Sequence, residues 1–392
     1  MLDENQRDIT ILCKVVDNFG DIGVCSRLAR ALLEVCPEVN IRLVVSDLSA
    51  FSALDCAVDR EKAEQRVHGI WVYDWNDGAV CTRAFLQKKP KIILECFQCG
   101  RPDWLEEILF ARDNTDIAHI INLEYLTAEE WADEFHTLKS GTRSAFIKKA
   151  NFMPGFSKNT GGLILDNHFM KCCSDTAYAR DFLMTEANLD VKESDFNVVI
   201  FSYERDFLPV VKALSSFADK SGKRVRVFLT EGKSRKSFLR AVTKEYLDRG
   251  KNLSFYLTKL NFLSQEVWDA LLTVCDFNFV RGEDSLSRAV LAGAPFAWHA
   301  YPQADEQQLV KAEALTARMK PFFSTETAAL FCDFTAEYNR DNPSAQKQEN
   351  LLSALFSRCE ELSAGCTAFA KTIIENGNLA ENLLNYISGL QF

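Results

Sequence analysis

Short β-branched, apolar runs alternate along the chain with stretches in which apolar residues recur every three or four positions. ITILCKVV at 9–16 followed by GVCSRLARALLEV at 23–35 predicts a strand, a loop and an amphipathic helix. IRLVVSD, IWVYDW, KIILECF and AHIINLEYL follow at intervals. Near-continuous apolar strands separated by helical patterns predict a parallel sheet covered on both faces. NFMPGFSKNTGG at 151–162 interrupts the pattern with Pro154, Gly155, Gly161 and Gly162, and the first domain is expected to end shortly after it, near residue 185. The pattern restarts at FNVVIFSY (196–203) and continues through KRVRVFLTEG, LSFYLTKL and CDFNFV, predicting a second α/β domain. From QKQENLLSALFSRCEELSAG to LAENLLNYISGL, apolar spacings of three and four predict helices packed on the core, without a sustained heptad register. The predicted division is 1–185 and 186–392, the second part carrying the terminal helices.

A length of 392 residues agrees with two domains, and an apolar fraction of 47% suffices for their cores. The formal charge of -10, from 55 acidic against 45 basic residues, disfavours nucleic acid as a partner, because phosphate neutralisation needs a basic face. The start MLDENQRDITILC lacks the order of basic, apolar and small residues of a signal peptide, and no stretch approaches the roughly 18 apolar residues of a membrane span. A reducing cytoplasm is the expectation, with the 13 cysteines acting as small buried hydrophobes. Cys96 with Cys99, and the adjacent Cys172 and Cys173, also admit a redox or zinc reading. The histidines (His68, His119, His136, His168, His299) show no spacing that completes a zinc site, and no metal is expected.

Ligands of doubly wound domains bind at the carboxyl ends of the strands, so two such domains facing one another are expected to place function in strand-to-helix loops around a central cleft. VDNFGDIGVCSR at 16–27 is one such loop: Gly20 and Gly23 let the backbone turn, and Asp17 and Asp21 lie between strand and helix. It carries neither a Gly-x-Gly-x-x-Gly fingerprint nor a P-loop ending, and aspartates here also serve as helix caps. The other is RGEDSLSR at 281–288, between the apolar run CDFNFV and AVLAGAP. A helix is expected to begin at Asp284 or Ser285 and to stop near Gly293, with Pro295 beyond it. Its amide end, the Ser285 hydroxyl and the planar fork of Arg281 suit a diphosphate; a surface pair between Arg281 and Glu283 is the structural alternative.

Taken together and in order, VDNFGDIG, ECFQC, NLEYLTAEEW, PGFSKNTGGL and RGEDSLSRA resemble the EarP family, the protein-arginine rhamnosyltransferases that modify elongation factor P. The resemblance runs through nearly the whole chain. It implies a GT-B fold of two Rossmann-like domains, with the acceptor on the first and the nucleotide sugar on the second. It also implies a dTDP-β-L-rhamnose donor, an arginine of elongation factor P as acceptor, and inversion at the anomeric carbon without metal or other cofactor, in support of translation through polyproline stretches. A membrane partner is not implied. Position by position, Asp21 matches the family's proposed general base, Asp17 its companion carboxylate, and Glu283 a third acidic residue important for activity. Phe201, Tyr203, Phe262, Gln265, Arg281, Asp284, Ser285 and Tyr301 match contacts to the nucleotide sugar.

These residue types suit those roles: an aromatic ring stacks on a base, an amide pairs with a pyrimidine edge, and arginine, serine and helix amides hold a diphosphate. On spacing alone, Phe201 and Phe262 also read as core residues and Tyr301, before Pro302, as a turn residue. Three other activities remain open at this stage: a glycosyltransferase acting on a small molecule or glycan, a nucleotide-sugar epimerase, and a non-catalytic sugar-nucleotide-binding adaptor.

Overall fold

A computed structural model of the chain describes residues 2–16 and 19–392. The chain divides into two compact units, Met1–Asn167 with Ile374–Phe392, and His168–Ile373.

The first unit is built on eight strands: β1 Asp8–Cys13, β2 Asn40–Val45, β3 Glu64–Val67, β4 Ile70–Asp74, β5 Ile92–Cys96, β6 Ala118–Leu123, β7 Lys139–Ser140 and β8 Ile147–Phe152. Their order is β3-β4-β2-β1-β5-β6-β8-β7, and only the outer pairs β3/β4 and β7/β8 are antiparallel. Every residue of β1 is buried, because both faces of the sheet are covered. Ile9, Ile11 and Cys13 pack on one face with Leu28 and Leu32 of the Gly20–Val35 helix. Leu12 packs on the other face with Phe85 and Trp104. The chain's last helix, Leu379–Ser388, adds Leu379, Leu383 and Ile387 to the first of these layers. Leu379 donates its N–H to the Leu163 carbonyl at 2.8 Å, and the Gln6 amide donates to the carbonyls of Ser388 and Leu390 at 3.1 and 3.2 Å.

The second unit holds five strands, all parallel: β9 Phe196–Ile200, β10 Val225–Leu229, β11 Phe255–Lys259, β12 Phe277–Arg281 and β13 Phe296–His299. Their order, β11-β10-β9-β12-β13, reverses direction between β9 and β12. In an open α/β sheet this reversal leaves a crevice at the strand ends. The first unit reverses in the same way between β1 and β5.

The observed α/β class is the one expected, a doubly wound sheet in each unit. The division between the units falls at 167/168 and again at 373/374, where the sequence placed one change near 185. The helix Thr176–Ala187 packs on the Gln265–Val274 helix and so belongs to the second unit. The last helix returns to the first because its Leu383 and Ile387 face complements that unit's core.

Candidate active site

In the first unit, β1 ends at Cys13 and the next helix begins at Gly20. Asp21 lies in the helix's first turn, and only 5% of it is exposed. The backbone N–H of Val16 donates to Asp21 Oδ2 at 2.7 Å, tying the end of the strand to the head of the helix. Asp17 lies outside the described residues. Beneath this turn Cys13 and Cys25 are fully buried. Burial, followed by hydrogen bonds with Cys13 and Cys96, pushes the Cys25 thiol well above its ordinary range, so it packs as a neutral group. None of the thirteen cysteines forms a disulfide among the described residues.

In the second unit, the helix after β12 spans Gly282–Ala292 and begins two residues before the expected Asp284. Gly282 has φ +68°, a left-handed conformation open to glycine without penalty, and it turns the chain directly from strand into helix. Arg281 therefore occupies the N-cap position, while Glu283 and Asp284 fall in the first turn. Ser285 follows with 7% exposure. The Trp298 indole N–H donates to the Gly282 carbonyl at 2.9 Å and fixes the turn from the neighbouring strand. Gly293, with φ +70°, ends the helix where the sequence placed its stop.

The Arg281 guanidinium lies 4.7 Å from the ring centres of both Phe201 and Tyr203, which follow β9. Each of these rings is braced in turn. Phe201 meets Trp268 edge-on at 5.1 Å, and Tyr203 meets His299 at 5.3 Å and Tyr301 at 5.5 Å, also edge-on. A cation over aromatic faces gains from the ring quadrupole, and the edge contacts keep those faces turned toward it. Glu283 Oε1 lies 3.9 Å from Lys311 Nζ.

Phe262 and Gln265 follow β11, and Tyr301 follows β13, so they too lie at the carboxyl end of the sheet. Phe262 is 48% exposed and Tyr301 55%. Phe201 is half-buried, so neither phenylalanine is a core residue. Gln265 opens the Gln265–Val274 helix behind the cap Ser264, whose hydroxyl accepts from the Val267 N–H at 3.3 Å.

Sequence reading named the rings that touch Arg281 and missed the groups behind them, Trp268, Ser202 and His299. His299 Nδ1 and Ser202 Oγ are 2.8 Å apart, and Tyr338 Oη lies 3.3 Å from the same hydroxyl. Burial, then the charges of Arg205 and Arg281, push the His299 imidazole down to about 3. The neutral form is thus the one present near neutral pH. The only sequence signal was the lone His299 at the end of a short apolar run, which spacing cannot connect to Ser202, 97 residues earlier.

Among the described residues, no group of three or more His, Cys, Asp or Glu side chains is placed to hold a metal ion. No helix among them is long and apolar enough to cross a membrane.

A family model described as elongation factor P (EF-P) rhamnosyltransferase EarP matches residues 9–388. The chain is 35% identical over 317 residues to a protein-arginine rhamnosyltransferase of Shewanella oneidensis, covering 78% of each protein. It is 31% identical over 343 residues to a protein-arginine rhamnosyltransferase of Pseudomonas putida, covering 84% of this chain and 86% of that one. A solved structure described as the basis for EarP-mediated arginine glycosylation of translation elongation factor EF-P superposes with a TM-score of 0.60 at 21% identity, over 98% of this chain and 99% of that one. A UDP-GlcNAc 2-epimerase from Neisseria meningitidis, bound to UDP-GlcNAc, superposes with a TM-score of 0.51 at 8% identity, over 94% of this chain and 99% of that one. The structural likenesses show a fold shared with glycosyltransferases and epimerases of the GT-B type.

Proposed function

The chain belongs to the EarP family of EF-P rhamnosyltransferases, and on that premise we propose that it transfers L-rhamnose from dTDP-β-L-rhamnose to a guanidinium nitrogen of an arginine in elongation factor P. The transfer is an inverting single displacement that uses no metal. The observation that carries the reading is Arg281, a cation at the head of a helix and at the end of β12, held against Phe201 and Tyr203.

Leaving-group departure puts negative charge on the diphosphate, and a fixed guanidinium with helix amides stabilises that charge as it develops. The Ser285 hydroxyl adds a donor one turn into the helix. Phe201, Tyr203, Phe262 and Tyr301 offer ring faces to the thymine and the sugar, and Gln265 offers an amide to the pyrimidine edge. The second unit is thereby assigned the donor and the first the acceptor.

An arginine side chain is a poor nucleophile because it stays protonated and its lone pairs are delocalised. A carboxylate bonded to the guanidinium orients it, keeps its charge local and accepts a proton as the new C–N bond forms. Asp21, already held by the Val16 amide, is assigned that role, with Asp17 and Glu283 as supporting carboxylates.

Intact-mass measurement of elongation factor P incubated with the protein and dTDP-β-L-rhamnose tests the reading. One added deoxyhexose on the acceptor is expected. An unchanged acceptor mass, with donor bound but not consumed, would leave a sugar-nucleotide-binding adaptor. An unchanged acceptor with altered donor would favour an epimerase or a transferase acting on another acceptor.

A further inference from the structure

We propose that His299 is a positioning residue of the donor site, holding Tyr203 against Arg281 through its ring and through its hydrogen bond to Ser202. The inference rests on the assignment of Tyr203 and Arg281 to the donor.

Strands β9, β12 and β13 are neighbours, and the register pairs Arg281 with His299 as the last residues of β12 and β13. Residues paired in a parallel ladder project from the same face, so guanidinium and imidazole emerge side by side. Tyr203, from the loop after β9, lies against both, 4.7 Å from the guanidinium and 5.3 Å from the imidazole. His299 also grips the residue before it, since Nδ1 is 2.8 Å from Ser202 Oγ. Contacts to two consecutive residues fix the direction of the loop as well as the tilt of one ring.

The support is itself rigid. Ser202 and Tyr338 are each 1% exposed, and the Tyr338 ring lies 5.6 Å from that of His299. Arg205 packs its guanidinium 3.7 Å from the centre of the Tyr338 ring and donates to the Tyr338 carbonyl at 2.6 Å. Tyr203 also meets the ring of Tyr301, which is 55% exposed, whereas His299 is 7% exposed, so the buried imidazole is the firmer of these two braces. Between two arginines, a neutral ring that can hydrogen-bond fits where a cation would repel. Apolar rings of similar size lack the bond to Ser202.

The test uses the full chain with two substitutions that divide the contacts: His299→Phe keeps a ring and loses the hydrogen bond, while His299→Asn keeps a polar group near Nδ1 and loses the ring. Calorimetric titration with dTDP should show affinity weakened by about tenfold in each, with a higher KM for dTDP-β-L-rhamnose and an unchanged KM for elongation factor P. In a Tyr203→Leu background neither substitution should weaken dTDP binding further, because both act through that ring. A purely structural role would not produce this dependence. Unchanged dTDP affinity in either variant, or the same loss with and without Tyr203, overturns the proposal. Should both variants fail to fold, Ser202→Ala removes one hydroxyl, and unchanged dTDP affinity there overturns it equally. Arg281→Ala separates the two levels of inference. If it binds dTDP like the parent chain, the donor-site assignment falls; if it loses binding while the His299 variants do not, only the role of His299 falls.

Discussion

Val16 holds Asp21 from behind, its N–H 2.7 Å from one carboxylate oxygen. The orientation of that carboxylate is therefore set by the turn between β1 and the helix, before an acceptor binds. Asparagine at this position keeps an oxygen for the Val16 amide but cannot take up a proton. Asp21→Asn is accordingly expected to lower kcat by about 10²–10⁴-fold while leaving dTDP binding near that of the parent. Single-turnover transfer and calorimetry measure the two quantities, and near-normal turnover would remove Asp21 from the mechanism.

Arg281→Ala is expected to weaken donor binding by roughly 1.5–3 kcal/mol, the range for a hydrogen bond to a charged group. Transfer should slow as well, because the same contact strengthens as the diphosphate leaves. Arg281→Lys should recover only part of the loss, since an ammonium lacks the planar fork that spreads over two rings and two oxygens. Calorimetry with dTDP-β-L-rhamnose checks both, and an unchanged affinity would move the phosphate site elsewhere.

Stability of the first unit depends on a buried ion pair remote from the proposed chemistry. Arg42 and Asp8 meet at 2.7 Å with side chains 5% and 1% exposed, and Arg42 also donates to the Lys88 carbonyl at 2.8 Å. Arg42→Ala takes the guanidinium from a buried Asp8 carboxylate that keeps the Asn40 amide at 2.7 Å and Lys88 Nζ at 3.8 Å, and is expected to cost at most about 3–5 kcal/mol in urea unfolding. Removing both charges, as in Asp8→Leu with Arg42→Met, should cost much less. Equal costs for the single and double changes would contradict this account.

Acid sensitivity follows from His299. Its folded value lies near 3, against about 6.5 for an unfolded chain. Below pH 6.5 the unfolded chain takes a proton that the folded protein refuses. The stabilising contribution is thus complete above about pH 6.5 and is lost as pH falls toward 3, at up to roughly 1.4 kcal/mol per pH unit. His299→Asn should flatten the fall in urea midpoint between about pH 6 and 4 relative to the parent chain. His119 and His136, also lowered chiefly by burial, remain in both proteins and cancel in the comparison.

The buried strands were the most legible part of the sequence, because β1, β5 and β9 are mainly apolar and, with both sheet faces covered, buried over their whole length. Strand β3, EQRV, was not legible: it is an antiparallel outer strand, largely open to solvent, with no periodicity to betray it. Two-residue β7 is too short to leave any pattern, and in β8 the lysines of IKKANF broke the apolar run. Arg281 was legible because a cation between an apolar run and a helical pattern is out of place unless it does something there. The head of its helix was read two residues late, since sequence favours Asp as a cap where the fold uses the left-handed Gly282. Ser202 and His299 meet only through packing across strands, which no local spacing encodes.

The return of the Leu379–Ser388 helix to the first unit has a consequence for biosynthesis. As the chain leaves the ribosome from its N-terminus, residues up to 167 emerge with one core layer short of Leu379, Leu383 and Ile387. All of the second unit is translated before that layer can close. At the usual 5–20 residues per second, the intervening 206 residues, His168–Ile373, take on the order of 10–40 s. Throughout that interval an apolar strip beside the Gly20–Val35 helix stays unroofed, a natural place for a chaperone to hold the nascent chain.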